Sequence, residues 1–131
     1  EELMPDVVTY SIAISACSKE RNQWEQVLHL LGEMQLSKLQ PSVVTYNTAI
    51  SACGKSARPN EALALLGEMR LRRVLADVIS YSAAISACEK SRQPVQALRL
   101  LEEMRWQRIQ PDVTACNATI SACEKGGLVD N

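Results

Sequence analysis

The side chains able to do chemistry recur at fixed places along this 131-residue chain, and the recurrence decides much of what they can do. Cys17, Cys53, Cys88 and Cys123 are 36, 35 and 35 residues apart, with Cys116 the fifth cysteine. Zinc is held by cysteines and histidines in closely spaced pairs. No Cys-x-x-Cys is present, and Cys116 and Cys123 lie seven apart with no histidine beside them. Even spacing also argues against a disulfide framework, so these thiols read as small buried packing groups. The one histidine, His29, has no cysteine or aspartate partner at a useful spacing. Neither a His-x-Glu with Cys-x-x-Cys set nor a glycine-rich phosphate loop occurs, so enzyme chemistry is set aside and neither cofactor nor metal is expected.

The remaining polar groups fall into three registers. Ser11, Asn47, Ser82 and Asn117 occupy one; Asp6, Ser42, Asp77 and Asp112 a second; Lys19, Lys55, Lys90 and Lys125 a third. An amide both donates and accepts hydrogen bonds, whereas an ionised carboxylate only accepts, so the first two registers together offer complementary recognition groups. Short polar residues before a helix also bond nearby backbone N–H groups, so turn chemistry alone is an open account of the second register. The first is harder to dismiss, because serine and asparagine early in a helix have low propensity and need another reason. The lysines form a row able to follow a phosphate backbone, or one that merely offsets helix dipoles. Arg70, Arg72, Arg73, Arg105 and Arg108 carry the same two readings.

What positions these groups is an internal repeat. The segments "PDVVTYSIAISACSK" from Pro5, "PSVVTYNTAISACGK" from Pro41, "ADVISYSAAISACEK" from Ala76 and "PDVTACNATISACEK" from Pro111 start 36, 35 and 35 residues apart. A fixed period of this size is the signature of a solenoid. Tyr10, Ala13, Ile14 and Cys17 follow i, i+3, i+4, i+7 spacing, as do Tyr46, Ala49, Ile50 and Cys53; this is helix A. Val27, Leu30, Leu31 and Met34 repeat the pattern later in the copy, as do Ala62, Leu65, Leu66 and Met69, then Ala97, Leu100, Leu101 and Met104; this is helix B. Thr9, Thr45 and Ser80 are expected to cap helix A after an extended Val or Ile pair, Pro59 and Pro94 to open helix B, and Pro41 and Pro111 to stop it. The extra residue of the first copy falls near Asn22 and Gln23, in a turn.

The expected architecture is therefore an all-α, right-handed solenoid of about three and a half helix-turn-helix units, each stabilised by its neighbours. Residues 1–6 end a preceding unit; 7–42, 43–77 and 78–112 are complete; 113–131 supply helix A alone. The start without Met and inside a repeat implies a processed protein, an expressed segment or a fragment of a longer array. Ile120 and Cys123 in the last helix then need a cap, a further repeat or a partner. Apolar residues make up 47% and charged residues 22%, with no Phe, as suits many small helix contacts. A net charge of −1 does not advertise a polyanion binder, so nucleic-acid binding must rest on local geometry. No run of 18 apolar residues exists to span a membrane.

With "VVTYNTAISACGK", "EALALLGEM" and a closing Pro-Asp on the page, the chain resembles the pentatricopeptide repeat family along its whole length. The tetratricopeptide repeat has a shorter period and a Trp and Gly-Tyr signature absent here. The resemblance implies a module that binds single-stranded RNA on helix A, one base per repeat, in plastid or mitochondrial RNA processing, stability or translation. It implies reading pairs Ser11 with Ser42, Asn47 with Asp77 and Ser82 with Asp112, with Asn117 unpaired. Val8, Val44 and Ile79 would wedge between bases. By the family's preferences the sequence read is 5′ A-U-G-pyrimidine 3′. Thr114 in place of a wedge and Cys116 in place of the Tyr put the fourth copy in doubt.

A second surface departs from the family pattern. Leu36, Leu71 and Trp106 stand where charged residues are usual, opposite the buried stripe of helix B, with Gly32 and Gly67 one turn back. They are expected to be exposed. Surface glycine inside a helix costs about 1 kcal/mol relative to Ala, which close approach of another surface would explain. The alternative function is thus a scaffold or accessory subunit contacting proteins of an organellar complex through this convex face. Scattered surface apolars are the plainer account.

Overall fold

The computed structural model describes residues 6–20 and 23–126, and within them seven helices and no strand. They are α1 (Val7–Ser18), α2 (Trp24–Leu36), α3 (Val43–Lys55), α4 (Pro59–Leu71), α5 (Val78–Lys90), α6 (Pro94–Trp106) and α7 (Val113–Gly126). Odd-numbered members are helix A of successive units and even-numbered members helix B. Helices A pack on one another in sequence, α1 on α3, α3 on α5 and α5 on α7, while each helix B packs between its own helix A and the next. Neighbouring helices B do not pack backbone to backbone. Packing is thus closer in the helix A layer than in the helix B layer.

The core runs the length of the stack, as nearest-neighbour burial requires. Tyr46, Tyr81, Ile14, Met34, Ile50, Met69, Ile85 and Met104 are its largest fully buried groups. Cys53 and Cys88 are buried, and desolvation pushes their thiols up to about 12 and about 11. Cys17 and Cys123 are half-buried at the two ends of the helix A row, and Cys116 is exposed. Ile14, Ile50 and Ile85 are fully buried, but Ile120 is 56% exposed because no helix B among the described residues covers α7.

Helix punctuation differs from expectation at both ends. Thr9, Thr45 and Ser80 are not the N-cap residues of helix A, although Ser80 joins the cap of α5 as the third helical residue. The Val or Ile pair is already helical, and Asp6, Ser42 and Asp77 are the caps, accepting the N–H of Thr9, Thr45 and Ser80 at 2.9, 3.3 and 3.1 Å. Side chains at the first two helical positions have no preceding turn to crowd them, so β-branching is tolerated there. Nor do the prolines stop helix B. It ends at Leu36, Leu71 and Trp106, and it does so identically before Ala76 and before Pro41 and Pro111. The stop is a left-handed residue two positions later, Lys38, Arg73 or Arg108, at φ 63°, 61° and 62°. The following N–H then reaches back to Met34, Met69 or Met104 at 3.0, 2.8 and 2.8 Å, closing the carbonyls of the last turn. Ala57 and Arg92 end α3 and α5 in the same conformation. Pro59 and Pro94 do open α4 and α6. Gln23 precedes α2 as its cap residue, while Asn22 lies outside the described residues.

The glycines also exchange roles. A Cβ on Gly32 or Gly67 would meet nothing within 4 Å, so no close approach within the molecule explains them. A tight backbone contact is instead at Gly54, where a Cβ would sit 2.9 Å from the Ala83 carbonyl oxygen. There α3 and α5 meet through their backbones.

Candidate nucleic-acid interface

Each candidate reading pair joins helix A of one unit to the turn that opens the next. Asn47 Nδ2 donates to Asp77 Oδ1 at 3.0 Å, and Ser82 Oγ donates to Asp112 Oδ1 at 3.0 Å. Ser11 and Ser42 meet through a third residue, Thr45, whose Oγ1 is 3.3 Å from Ser11 Oγ and 3.2 Å from Ser42 Oγ. The two sequence accounts of the aspartates therefore combine: Asp77 Oδ1 accepts both the Ser80 N–H that begins α5 and the Asn47 amide. Asp112 does likewise for Ala115 N–H, at 2.8 Å, and Ser82. Burial pushes the Asp77 carboxyl up, but the Ser80 N–H and the bonds from Asn47 and Ser80 outweigh it and hold the group below the usual carboxylate range. Asn47 and Ser82 are 8% and 7% exposed, so only an edge of each faces the groove.

The wedge candidates stand beside these pairs. Val8, Val44 and Ile79 are 64%, 67% and 57% exposed, an unusual state for β-branched residues on a packed layer. Val44 and Ile79 bound an open depression of about 320 Å³, with Asn47, Thr48 and Ser51 on its floor. A flat apolar-faced ring held between two aliphatic side chains, with an amide at its edge, fits that arrangement. Asn117 is exposed on α7. Cys116 leaves the fourth copy without the phenol that anchors the others.

Those phenols are structural. Tyr46 Oη donates to Glu68 at 3.0 Å and accepts from Gln35 of the preceding helix B at 3.2 Å; Tyr81 Oη donates to Glu103 at 2.7 Å, and Arg70 of the preceding helix B pairs with the same carboxylate. Burial, then the neighbouring Glu, pushes both phenols up to about 12.

The lysine row is divided between its two readings. All four side chains are exposed at the ends of helix A. Lys55 Nζ donates to the Ser18 carbonyl at 3.0 Å, on the C-terminal turn of the neighbouring α1. Lys125 pairs with Glu89, whose carboxyl is held low by that lysine. Lys19 and Lys90 have no acidic partner among the described residues. Of the arginines, Arg72 lies 3.7 Å from Glu68 and Arg70 meets Glu103. On the opposite layer Leu36, Leu71 and Trp106 are each 85% exposed, as expected.

Thr45 and Ser80 are the site residues that sequence reasoning misassigned. They are 2% and 0% exposed and lie beneath the reading pairs, Ser80 also completing a capping box by accepting the Asp77 N–H. Their signal in the sequence was a hydroxyl register of Thr9, Thr45 and Ser80 that lapses at Ala115.

Comparison with known proteins agrees with this geometry. A sequence model described as the PPR repeat family matches residues 5–55 and 41–90, and one described as the PPR repeat matches residues 79–109. The crystal structure of the pentatricopeptide repeat protein PPR10 from maize is 27% identical, with a TM-score of 0.81 over 96% of this chain and 19% of that one. PPR10 in complex with an 18-nt psaJ RNA element is 26% identical, with a TM-score of 0.78 over 98% of this chain and 20% of that one. The chain thus spans about a fifth of these proteins. The PPR domain of Arabidopsis thaliana protein-only RNase P 1, in complex with tRNA, is 15% identical with a TM-score of 0.78 over 93% of this chain and 67% of that one, and shares the fold. No curated protein matches the sequence.

Proposed function

Because the chain belongs to the pentatricopeptide repeat family, we propose that it is a single-stranded RNA-binding module that reads one base per repeat and acts in RNA processing, stability or translation in a plastid or mitochondrion. The observation that carries this reading is Asn47, which lines the depression between Val44 and Ile79 and is bonded to Asp77 behind it. The solved complex of PPR10 with RNA supports it, since this chain overlies part of that protein. Asn47 with Asp77 selects uracil, Ser82 with Asp112 guanine, and Ser11 with Ser42 adenine, while Asn117 stands ready for a pyrimidine. Lys19 and Lys90 track the phosphates, and Lys55 and Lys125 contribute once displaced from their protein partners. With three complete helix pairs and a net charge of −1, affinity is modest, and the module works within a longer array or beside a partner.

Binding of short RNAs followed by fluorescence polarisation at fixed salt, then over a salt series, tests this. Asn47→Ser with Asp77 kept should move the preference at one position from uracil toward guanine. An unchanged preference means the pair does not read. Absence of any salt-sensitive binding at micromolar protein favours the second reading, a scaffold in an organellar complex. The exposure of Leu36, Leu71 and Trp106 along the helix B layer supports that alternative. Replacing all three by Glu would then abolish co-fractionation with the complex and leave RNA binding intact.

A further inference from the structure

Across three junctions the reading residues are held in three different ways, and the difference lies in a third residue supplied by the following helix A. At the junction of α3 with α5, Ser80 lies under the pair. Its hydroxyl donates to Asn47 Oδ1, the nearer of two acceptors, with Asp77 Oδ1 at 3.1 Å; its Oγ accepts the Asp77 N–H at 3.1 Å. Asn47 Nδ2 meanwhile donates to Asp77. At the junction of α1 with α3, the Thr45 hydroxyl bridges Ser11 and Ser42. At the junction of α5 with α7 the equivalent residue is Ala115, fully buried and without a hydroxyl, so Ser82 bonds Asp112 with nothing beneath.

The consequence for Asn47 is one of orientation. A primary amide turned by 180° exchanges a donor for an acceptor and presents the opposite pattern to a base edge. Asp77 can only accept, so it fixes where Nδ2 points; the Ser80 hydroxyl donates to Oδ1 and fixes the other end. One Nδ2 hydrogen and one Oδ1 lone pair are then left to face a base in a single arrangement. Uracil and cytosine differ by carbonyl against amine at C4 and by N–H against a bare nitrogen at N3, so an amide that turns loses its power to tell them apart. Ser80 itself is fully buried and cannot touch RNA.

We infer that Ser80 and Thr45 are positioning residues for base selection, so that the first two reading pairs are each oriented by a hydroxyl from the next repeat. This rests on the RNA-reading assignment above. It makes the junction at Ala115 the least selective of the three, and it makes base choice depend on a residue that lies outside the pair and outside the repeat that carries the first reader.

The test compares the parent chain with Ser80→Ala, Ser80→Thr and Ala115→Ser. Each is incubated with a pool of randomised short RNAs, and bound RNA is sequenced. The position read by Asn47 is the one that shifts in Asn47→Ser. Ser80→Ala should cut the uracil-over-cytosine ratio there by about fivefold, the worth of one hydrogen bond, and leave ratios at other positions unchanged. Ser80→Thr should restore it, Thr being accommodated at the equivalent Thr45. Ala115→Ser should sharpen choice at the Ser82 position. In parallel, ¹⁵N spectra of the RNA-free protein should show the Asn47 Nδ2 proton bonded to Asp77 protected and distinct from its partner in the parent and in Ser80→Thr, and the two protons exchanging places in Ser80→Ala. Loss of binding to all RNAs alike in Ser80→Ala, or an unchanged ratio, overturns the inference while the RNA-reading assignment stands. A parent chain with no base preference at any position overturns both.

Discussion

The helix A and helix B layers of this solenoid are held together by opposite means. In the A layer, Ala49, Ala52, Cys53 and Gly54 of α3 and Ala84, Ala87 and Cys88 of α5 are all buried, and the Gly54 backbone lies against the Ala83 carbonyl. Side chains this small let helices approach closely. In the B layer the helix axes stay apart, and long polar side chains bridge them, Gln35 to Glu68 and Arg70 to Glu103. The same repeat therefore closes on one side and splays on the other. The rigid side carries the candidate readers, so their spacing is set by backbone contact. The splayed side carries the exposed Leu36, Leu71 and Trp106, whose spacing is set by flexible bridges.

The largest difference should appear on truncating the two layers. Ile85, fully buried between α5 and its neighbours, should cost about 3 kcal/mol as Ile85→Ala, through lost transfer energy and a residual cavity. Leu71→Ala, at an 85% exposed site, should stay within about 0.5 kcal/mol. Urea titration measures both, and similar losses would mean that the B ridge is packed in solution. Next in size is a glycine pair. Gly54→Ala must push α3 from α5 and should destabilise by about 2 kcal/mol despite Ala's better helix propensity, because the atom it meets is backbone. Gly67→Ala meets nothing and should stabilise by about 1 kcal/mol. The opposite signs are the diagnostic: a stabilising Gly54→Ala would show that the A layer is looser than its geometry.

The helix faces were legible in the sequence because burial follows spacing: Tyr46, Ile50 and Cys53 are all buried, as are Ala62, Leu65, Leu66 and Met69. The helix ends were less so. A stop by a left-handed Lys38, Arg73 or Arg108 carries no glycine to announce it, whereas Pro41 and Pro111 offer a more conspicuous but misplaced signal. Gly54 stood unremarked beside Gly32 and Gly67 because close approach is a property of two helices, not of one sequence window. Among the candidate readers, Asn47 and Ser82 stand out in the sequence by their low helix propensity at a recurring place. Thr45 and Ser80 were visible as recurring hydroxyls but assigned to caps, since a buried inter-repeat bond and a local cap favour the same residue types.

The smallest of these differences is in the response to acid. Two carboxylates at the A-layer junctions have lowered folded-state values: Asp77, where the Ser80 N–H and the bonds from Asn47 and Ser80 overcome burial, and Glu89, where the bond from Lys125, helped by one from Ser121, outweighs burial. A depressed carboxylate favours the folded state fully above its unfolded value, and that contribution fades as pH falls through the folded one. The stability of the chain should therefore be flat from neutrality down to the ordinary carboxylate range and decline below it, with Asp77→Asn and Glu89→Gln each flattening the decline. Thermal denaturation between neutral pH and pH 3 measures this. Glu89 is the more exposed to solvent screening, bonded to a lysine at the surface, so its share should shrink in high salt. Asp77 is anchored by backbone and a buried hydroxyl, and its share should persist. Equal salt sensitivity of the two would show that the Asp77 junction opens to water, and with it the fixed amide on which base selection at Asn47 depends.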